Sequence, residues 1–144
     1  YSLAVVLRSV YPDTKIKIWA SDKDLLSIST APNLVFSKED VPPSHRGYIV
    51  EGNNGHSFSR DIRDLILFEY HDILHANAVP DADVIVARDL LSYLSPSDQD
   101  KVLAEFDEKI KKGGVLMLGT NEQLPDSDGW INVSTDSVTA YKKQ

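Results

Sequence analysis

The sequence has no cysteine, and no apolar run comes near the ~20 residues that a helix needs to span a bilayer. Without cysteine, neither a disulfide framework nor a cysteine-ligated zinc site can form, which suits a protein of the reducing cytoplasm. Basic residues are in the minority, since 15 Lys and Arg stand against 22 Asp and Glu for a formal charge of −7. Nucleic acids and anionic membranes bind basic surfaces, so we expect neither as a partner.

Apolar spacing predicts the elements of an α/β domain. With 144 residues, of which 42% are hydrophobic, the chain can form one domain with a packed core. Helical spacing covers residues 3–10, and Ser21 or Asp22 can cap a second, short helix over 25–28. The predicted strands cover residues 16–20, 65–70, 84–87 and 115–118, and hairpins are predicted around 52–55 and 135–136.

The best-defined unit is a strand, a helix and a second strand in the C-terminal half. Ser95 and Asp98 form a capping box with Pro96 at the first helical position, and Gly113 with Gly114 is expected to end the helix. The flanking strands read as buried on both faces. Such a crossover joins parallel strands, so we predict a three-layer α/β fold with a mainly parallel sheet and an antiparallel C-terminal end.

Four segments, in this order, resemble the CheR-type chemotaxis methyltransferases, which use S-adenosylmethionine. Residues 1–4 (YSLA) resemble the end of that family's GEEPYSLA motif, and residues 19–24 (WASDKD) resemble its ATDID or ASDID. Residues 84–94 (VIVARDLLSYL) resemble IFCRNVLIYF, and residues 113–122 (GGVLMLGTNE) resemble PGG.L.LGHSE. The resemblance covers nearly the whole chain and implies a Rossmann-like class I methyltransferase fold over residues 1–144.

The resemblance implies a cofactor side of the site. Asp22 follows a predicted strand, where a carboxylate can accept hydrogen bonds from both ribose hydroxyls; a helix cap is the alternative. Asp72 and Ile73 match the stretch that packs beside the adenine. The family usually has Asn at position 72, and an Asp cannot donate the amide hydrogen bond.

The resemblance also implies a substrate side. Arg88 and Tyr93 match the family's arginine and tyrosine near the transferred methyl group, where a guanidinium can pair with a substrate carboxylate. The alternative is an ion pair between Arg88 and Asp89, which stands where the family has Asn, or between Arg88 and another local acid. We expect Arg88 to be paired in this way, and the site therefore to be vestigial.

Two further features have ordinary alternatives. Residues 48–60 match the family's small β-subdomain, which can dock a receptor's C-terminal tail by strand addition; a plain surface hairpin is the other interpretation. His71 and His75 could share a metal only on a helix, and no third ligand is in register. We expect no metal site.

The family's first strand, glycine-rich loop and N-terminal helical domain have no counterpart in residues 1–144, and no G-x-G-x-x-G or G-x-S-x-G occurs. Because the chain starts at Tyr1, we expect it to be part of a longer chain. Without that loop, which holds the methionine moiety of the donor, we expect no bound cofactor; an active form would bind S-adenosylmethionine. The missing central strand would leave two strand edges unpaired, which favours a homodimer.

Two functions follow. The first is a non-catalytic CheR-like module for assembly or protein–protein interaction in bacterial chemotaxis, with receptor or array components as partners. The second is a fragment of an active protein-glutamate O-methyltransferase that acts on chemoreceptors. An unrelated nucleotide-binding domain is disfavoured because no phosphate-binding glycine loop is present.

Overall fold

A computed structural model describes residues 1–77, 79–125 and 128–144. The chain divides into two compact units, Tyr1–His75 and Ala76–Gln144. The single domain over residues 1–144 stays a prediction. None of the helices in the described ranges is long and apolar enough to cross a bilayer.

The first unit combines a parallel strand pair with a separate hairpin. Its elements are α1 (Ser2–Val10), β1 (Ile18–Asp22), α2 (Leu25–Thr30), β2 (Ile49–Gly52), β3 (Gly55–Phe58), α3 (Arg60–Arg63) and β4 (Ile66–Tyr70), with 3-10 turns at Ala31–Asn33, Lys38–Asp40 and Pro43–Tyr48. β1 and β4 are parallel, with Ile18 opposite Ile66. β2 and β3 form the predicted antiparallel hairpin.

The core of the first unit lies between α1, α3 and the hairpin. Its buried residues are Ala4, Val5, Phe58, Ile62 and Leu65. The Tyr1 ring stacks on Phe58 with centroids 4.7 Å apart, and its hydroxyl donates a 2.8 Å hydrogen bond to the carbonyl of Ala31. α1 has neither a side-chain cap nor an acidic residue in its first turn, so packing rather than capping stabilises it.

The second unit contains the predicted crossover. Its elements are β5 (Ala82–Ala87), a 3-10 turn (Leu91–Tyr93), α4 (Pro96–Lys109), β6 (Ile110–Leu118), β7 (Trp130–Asn132) and β8 (Thr139–Lys143). The strand order is β5-β6-β8-β7. β5 and β6 are parallel, whereas β8 is antiparallel to both its neighbours. The parallel crossover and the antiparallel C-terminal end are both confirmed.

The start of α4 is as predicted. The Ser95 hydroxyl accepts a 3.3 Å hydrogen bond from the N–H of Asp98 and donates a 2.8 Å bond to the Asp98 carboxylate. Burial of Val102 and Phe106 then fixes which face of the helix is turned inward.

The predicted end of α4 was wrong. The helix ends at Lys109 and β6 begins at once, so Gly113 and Gly114 do not terminate the helix. Gly113 does have the expected positive φ of 80°, but it lies within β6. There the pairing with β5 is irregular, since Ala82 pairs with Ile110 and Val84 with Val115. The left-handed glycine accommodates the residues that β6 has in excess, as in a bulge.

The prediction that β5 is buried on both faces was also wrong. Val84 and Val86 are 47% and 46% exposed. A short apolar run does not record whether both faces of a strand are covered. Within the described ranges, β5 pairs only with β6 and β1 only with β4, so each has one edge without a strand partner.

Candidate functional site

The predicted cofactor residues meet at one end of the β1–β4 pair. Asp22 is the last residue of β1 and lies opposite Tyr70, the last residue of β4. The N–H of His71 donates a 3.0 Å hydrogen bond to the Asp22 carbonyl, which aligns the two strand ends. Asp72 and Ile73 follow directly, so the structure brings all three predicted residues to the same sheet edge.

The Asp22 carboxylate is partly occupied by its own turn. Its Oδ1 accepts a 2.9 Å hydrogen bond from the N–H of Asp24, whereas Oδ2 has no hydrogen bond within the described residues. Asp22 is exposed, so Oδ2 is available as an acceptor. A carboxylate oxygen that is exposed and not bonded can accept hydrogen bonds from hydroxyl groups such as those of a ribose.

The cap of α2 is Asp24, not Asp22 or Ser21 as predicted. Its carboxylate accepts hydrogen bonds from the N–H groups of Leu26 (3.1 Å) and Ser27 (3.2 Å) and from the Ser27 hydroxyl (2.6 Å). These bonds, the Ser27 hydroxyl first, hold the pKa of Asp24 below its ordinary value. The helix starts at Leu25, so only the residue before it can cap.

The Asp72 carboxylate is turned towards its own chain. Its Oδ1 accepts a 3.1 Å hydrogen bond from the N–H of Leu74, and Oδ2 lies 3.9 Å from Nδ1 of His75. His71 Nε2 donates a 2.6 Å hydrogen bond to the His75 carbonyl. Among the described residues, no group of three or more His, Asp or Glu side chains is placed to hold a metal.

The predicted substrate residues lie on one loop after β5, which we call the Arg88–Tyr93 loop. Arg88 is exposed and Tyr93 is 85% exposed, whereas Leu91 between them is buried. Asp89 has a positive φ of 57°, and no other non-glycine residue in the described part of the chain does. Positive φ is uncommon outside glycine, so the loop is held in a specific conformation.

The predicted Arg88–Asp89 ion pair is absent. Arg88 has no ion-pair partner within 4.0 Å in the described ranges of the chain. The left-handed backbone at Asp89 places its carboxylate beside Gly119 instead. The guanidinium of Arg88 is therefore not neutralised by the neighbouring acid.

Sequence reasoning missed the residue that fixes this loop. Glu122 is only 6% exposed. Its Oε2 accepts hydrogen bonds from the N–H groups of Gly119 (2.8 Å) and Asp89 (2.9 Å), and its Oε1 accepts one from Ser92 (3.1 Å). The sequence does contain one signal for Glu122. It lies just after the buried strand β6, at the end of segment 113–122, which resembles a motif of the CheR-type family.

A second side chain holds the other end of the loop. Gln99 of α4 donates from Nε2 to the carbonyls of Leu91 (2.9 Å) and Leu94 (3.2 Å). The Leu91 carbonyl also accepts the 3.0 Å bond from the N–H of Leu94 that closes the 3-10 turn, so the Gln99 side chain links this turn to α4. Chemically, the second unit thus presents a guanidinium and a phenol on a fixed backbone, and the first unit presents carboxylates at a sheet edge.

A family model described as "CheR methyltransferase, SAM binding domain" matches residues 1–139. Over 128 residues the chain is 23% identical to a Listeria innocua protein named chemotaxis protein methyltransferase, covering 86% of this chain and 49% of that protein. It is 28% identical over 114 residues to a Rhodobacter capsulatus protein named as an uncharacterized 104.1 kDa protein, covering 76% of this chain and 12% of that protein. The chain thus spans half or less of the length of these relatives.

Solved structures give the same fold. The crystal structure of the N-methyltransferase NodS from Bradyrhizobium japonicum superposes with a TM-score of 0.55 at 14% sequence identity, covering 97% of this chain and 80% of that one. At this identity the likeness concerns the fold alone. It confirms the α/β, Rossmann-like class I methyltransferase fold.

Proposed function

The chain belongs to the CheR methyltransferase family, and we propose that it serves bacterial chemotaxis in the cytoplasm as a CheR-like module that acts through protein–protein interaction rather than methyl transfer. The name of the Listeria innocua relative supports the link to chemotaxis. The observation that carries the non-catalytic part is the state of Asp72, whose carboxylate bonds within its own turn.

A donor-binding edge needs groups complementary to both adenine and ribose. Asp22 offers one unoccupied carboxylate oxygen, which suits a ribose hydroxyl. Asp72 is acceptor-only and half-buried, and its Oδ1 already accepts from Leu74. Replacing an amide by a carboxylate here removes a donor, because a carboxylate has no hydrogen to offer. We propose that this edge does not hold S-adenosylmethionine firmly.

The hairpin offers a route to a receptor or array component. β3 is covered on its outer side, since Phe36 and His56 exchange hydrogen bonds of 3.0 and 2.9 Å. β2 has no strand partner other than β3 among the described residues. An extended peptide can add to such an edge through backbone hydrogen bonds, and we propose a chemoreceptor tail as that peptide.

We further propose that two copies associate through β5. One edge of this strand has no partner in the described ranges, and its Val84 and Val86 are nearly half exposed. Unpaired edges with β-branched side chains favour pairing with another chain. Light scattering on the purified protein tests this, because a monodisperse monomer at micromolar concentration contradicts it.

The unpaired Arg88 favours a second function, methylation of receptor glutamates. A guanidinium that is not neutralised by Asp89 can pair with a substrate carboxylate, and Tyr93 can orient it. A carboxylate is already a competent nucleophile, so transfer of a methyl group requires mainly in-line positioning. This candidate covers the whole enzyme, of which the chain would supply one part.

Calorimetric titration of the protein with S-adenosylhomocysteine tests the non-catalytic proposal. The non-catalytic proposal predicts no binding at micromolar ligand, while a chemoreceptor C-terminal peptide binds under the same conditions. Micromolar binding of S-adenosylhomocysteine, lost in Asp22→Asn, overturns the proposal and supports the methyltransferase. Absence of peptide binding contradicts the proposed receptor contact.

A further inference from the structure

The backbone of the Arg88–Tyr93 loop depends on one buried carboxylate. Glu122 bonds to three backbone N–H groups, those of Asp89, Ser92 and Gly119, at 2.9, 3.1 and 2.8 Å. No other charged or polar residue in the described ranges is buried. Burying a carboxylate is unfavourable unless its oxygens are hydrogen-bonded, so the three amides and the carboxylate stabilise one another.

The loop conformation needs such support. Asp89 has a φ of 57°, which costs free energy for a residue with a β-carbon and persists only where its surroundings enforce it. Asp89 is also the residue whose N–H donates to Glu122, so this hydrogen bond supports the left-handed conformation directly. A β-carbon on Gly119 would stand 2.8 Å from the Asp89 nitrogen and 2.9 Å from Glu122 Oε2, so only glycine allows this approach.

We propose that Glu122 is a positioning residue that fixes the Arg88–Tyr93 loop and thereby sets where the Arg88 and Tyr93 side chains are presented. Gln99 fixes the far end of the same loop through the carbonyls of Leu91 and Leu94. The two side chains bond to different backbone groups of the loop, since Glu122 accepts from N–H groups and the Gln99 amide donates to carbonyls. The inference goes beyond the proposed function, since it holds whether the loop binds a partner or a methyl acceptor.

The asymmetry of the three bonds gives a sharp test. Oε2 accepts from Asp89 and Gly119, whereas Oε1 accepts from Ser92 alone. In Glu122→Gln, one carboxylate oxygen is replaced by an NH₂ group. The remaining carbonyl oxygen should take the Oε2 position, because it accepts from two N–H groups there and from only one at the Oε1 position. The new NH₂ group then faces the N–H of Ser92, and two donors cannot bond to each other.

Amide hydrogen exchange, measured residue by residue by NMR, tests the proposal. In Glu122→Gln, exchange at Ser92 becomes about tenfold faster or more, while Asp89 and Gly119 stay near wild-type protection. In Glu122→Ala, all three amides exchange faster. A role that only fills space predicts no such selectivity, because Gln and Glu have the same shape.

Glu108→Gln is the matched control, since it makes the same chemical change at an exposed position of α4. It should leave all three amides unchanged. If Ser92 keeps its wild-type protection in Glu122→Gln, the proposal is overturned. Equal acceleration at Ser92, Asp89 and Gly119 in Glu122→Gln also overturns it, because that pattern reports general loosening. Should Glu122→Ala fail to fold, the isosteric variant alone decides.

Discussion

At the ends of β1 and β4, acidic side chains bond to amides two residues away, whereas Glu122 holds the Arg88–Tyr93 loop through bonds that span about 30 positions. Asp22 accepts from Asp24 and Asp72 from Leu74, each over two residues. Glu122 accepts from Asp89 and Ser92 over 33 and 30 positions. The first region therefore takes its shape from local turns, and the second requires its whole unit to be folded.

This difference bears on how each region responds to change. Local turns lose little when the surrounding fold loosens, because their hydrogen bonds reform within a few residues. A buried carboxylate with three amide donors depends on two strands and a loop being in register. We therefore expect the loop to respond to core and backbone changes and the strand ends to respond mainly to local ones.

The largest expected effect is a core truncation. Ile62→Ala should lower the free energy of unfolding by about 2–5 kcal/mol, because Ile62 is fully buried against α1 and the deletion leaves a cavity. If residues 1–144 unfold as one domain, hydrogen exchange should accelerate at β6 amides as well as at β4 amides. Leu26→Ala, at a position 69% exposed, is the control and should change stability by less than about 0.5 kcal/mol.

Acceleration confined to the first unit would contradict the single-domain prediction. It would also sharpen the comparison, since the Arg88–Tyr93 loop would then be stabilised independently of β1 and β4.

The next effect is a backbone clash within the loop. Gly119→Ala should destabilise the protein by about 1–3 kcal/mol, because the added methyl group meets the Asp89 backbone at 2.8 Å. Gly47→Ala adds the same methyl group where no atom lies within 4 Å, and should be close to neutral. Chemical denaturation of both variants measures the difference. If Gly119→Ala is as stable as Gly47→Ala, the Asp89 backbone moves away from the added methyl group without loss of stability, which contradicts the prediction.

A smaller effect concerns the far end of the loop. Gln99→Glu keeps the side-chain shape but removes the Nε2 donors to Leu91 and Leu94, so it should lower stability by about 1–2 kcal/mol. The same replacement at the exposed Gln123 is the control. Thermal unfolding of both proteins tests this. Equal melting temperatures would mean that α4 does not support the loop.

The smallest effect is a pH dependence in the local region. The folded-state pKa of Asp24 is lowered, so its cap is fully present above the ordinary aspartate pKa of about 3.9 and is lost as pH falls through the folded value. Amide chemical shifts of Leu26 and Ser27 should therefore stay constant from neutral pH to about pH 4 and move only below it. Asp24→Asn also caps but does not titrate, so its shifts should stay constant throughout. A midpoint near neutral pH would contradict the assignment.

Local signals in the sequence predicted much of the fold. The cap at Ser95, the hairpin around residues 52–55 and the βαβ crossover all depend on residues close together in the chain, and all three are confirmed. The end of α4 was missed because Gly113 has the expected backbone conformation but uses it in a strand bulge. Pattern alone does not distinguish these two uses of a left-handed glycine.

In the candidate site too, the residues that follow from local sequence pattern could be predicted, and those that depend on distant contacts could not. Asp22 and Asp72 follow predicted strands, and the parallel pairing that brings them to one edge could be anticipated. Glu122 could not be assigned a role, because its partners Asp89 and Ser92 lie some 30 residues earlier. The expected Arg88–Asp89 pair failed for a related reason, since the left-handed backbone at Asp89 exists only in the folded loop.

The contrast between the two regions can be measured directly by amide hydrogen exchange on the wild-type protein. We predict that the amides of Asp89 and Ser92, which bond to a buried carboxylate, exchange at least about tenfold more slowly than those of Asp24 and Leu74, which bond to carboxylates in open turns. Equal protection of the two pairs, after correction for intrinsic exchange rates, would contradict the claim that Glu122 holds the Arg88–Tyr93 loop.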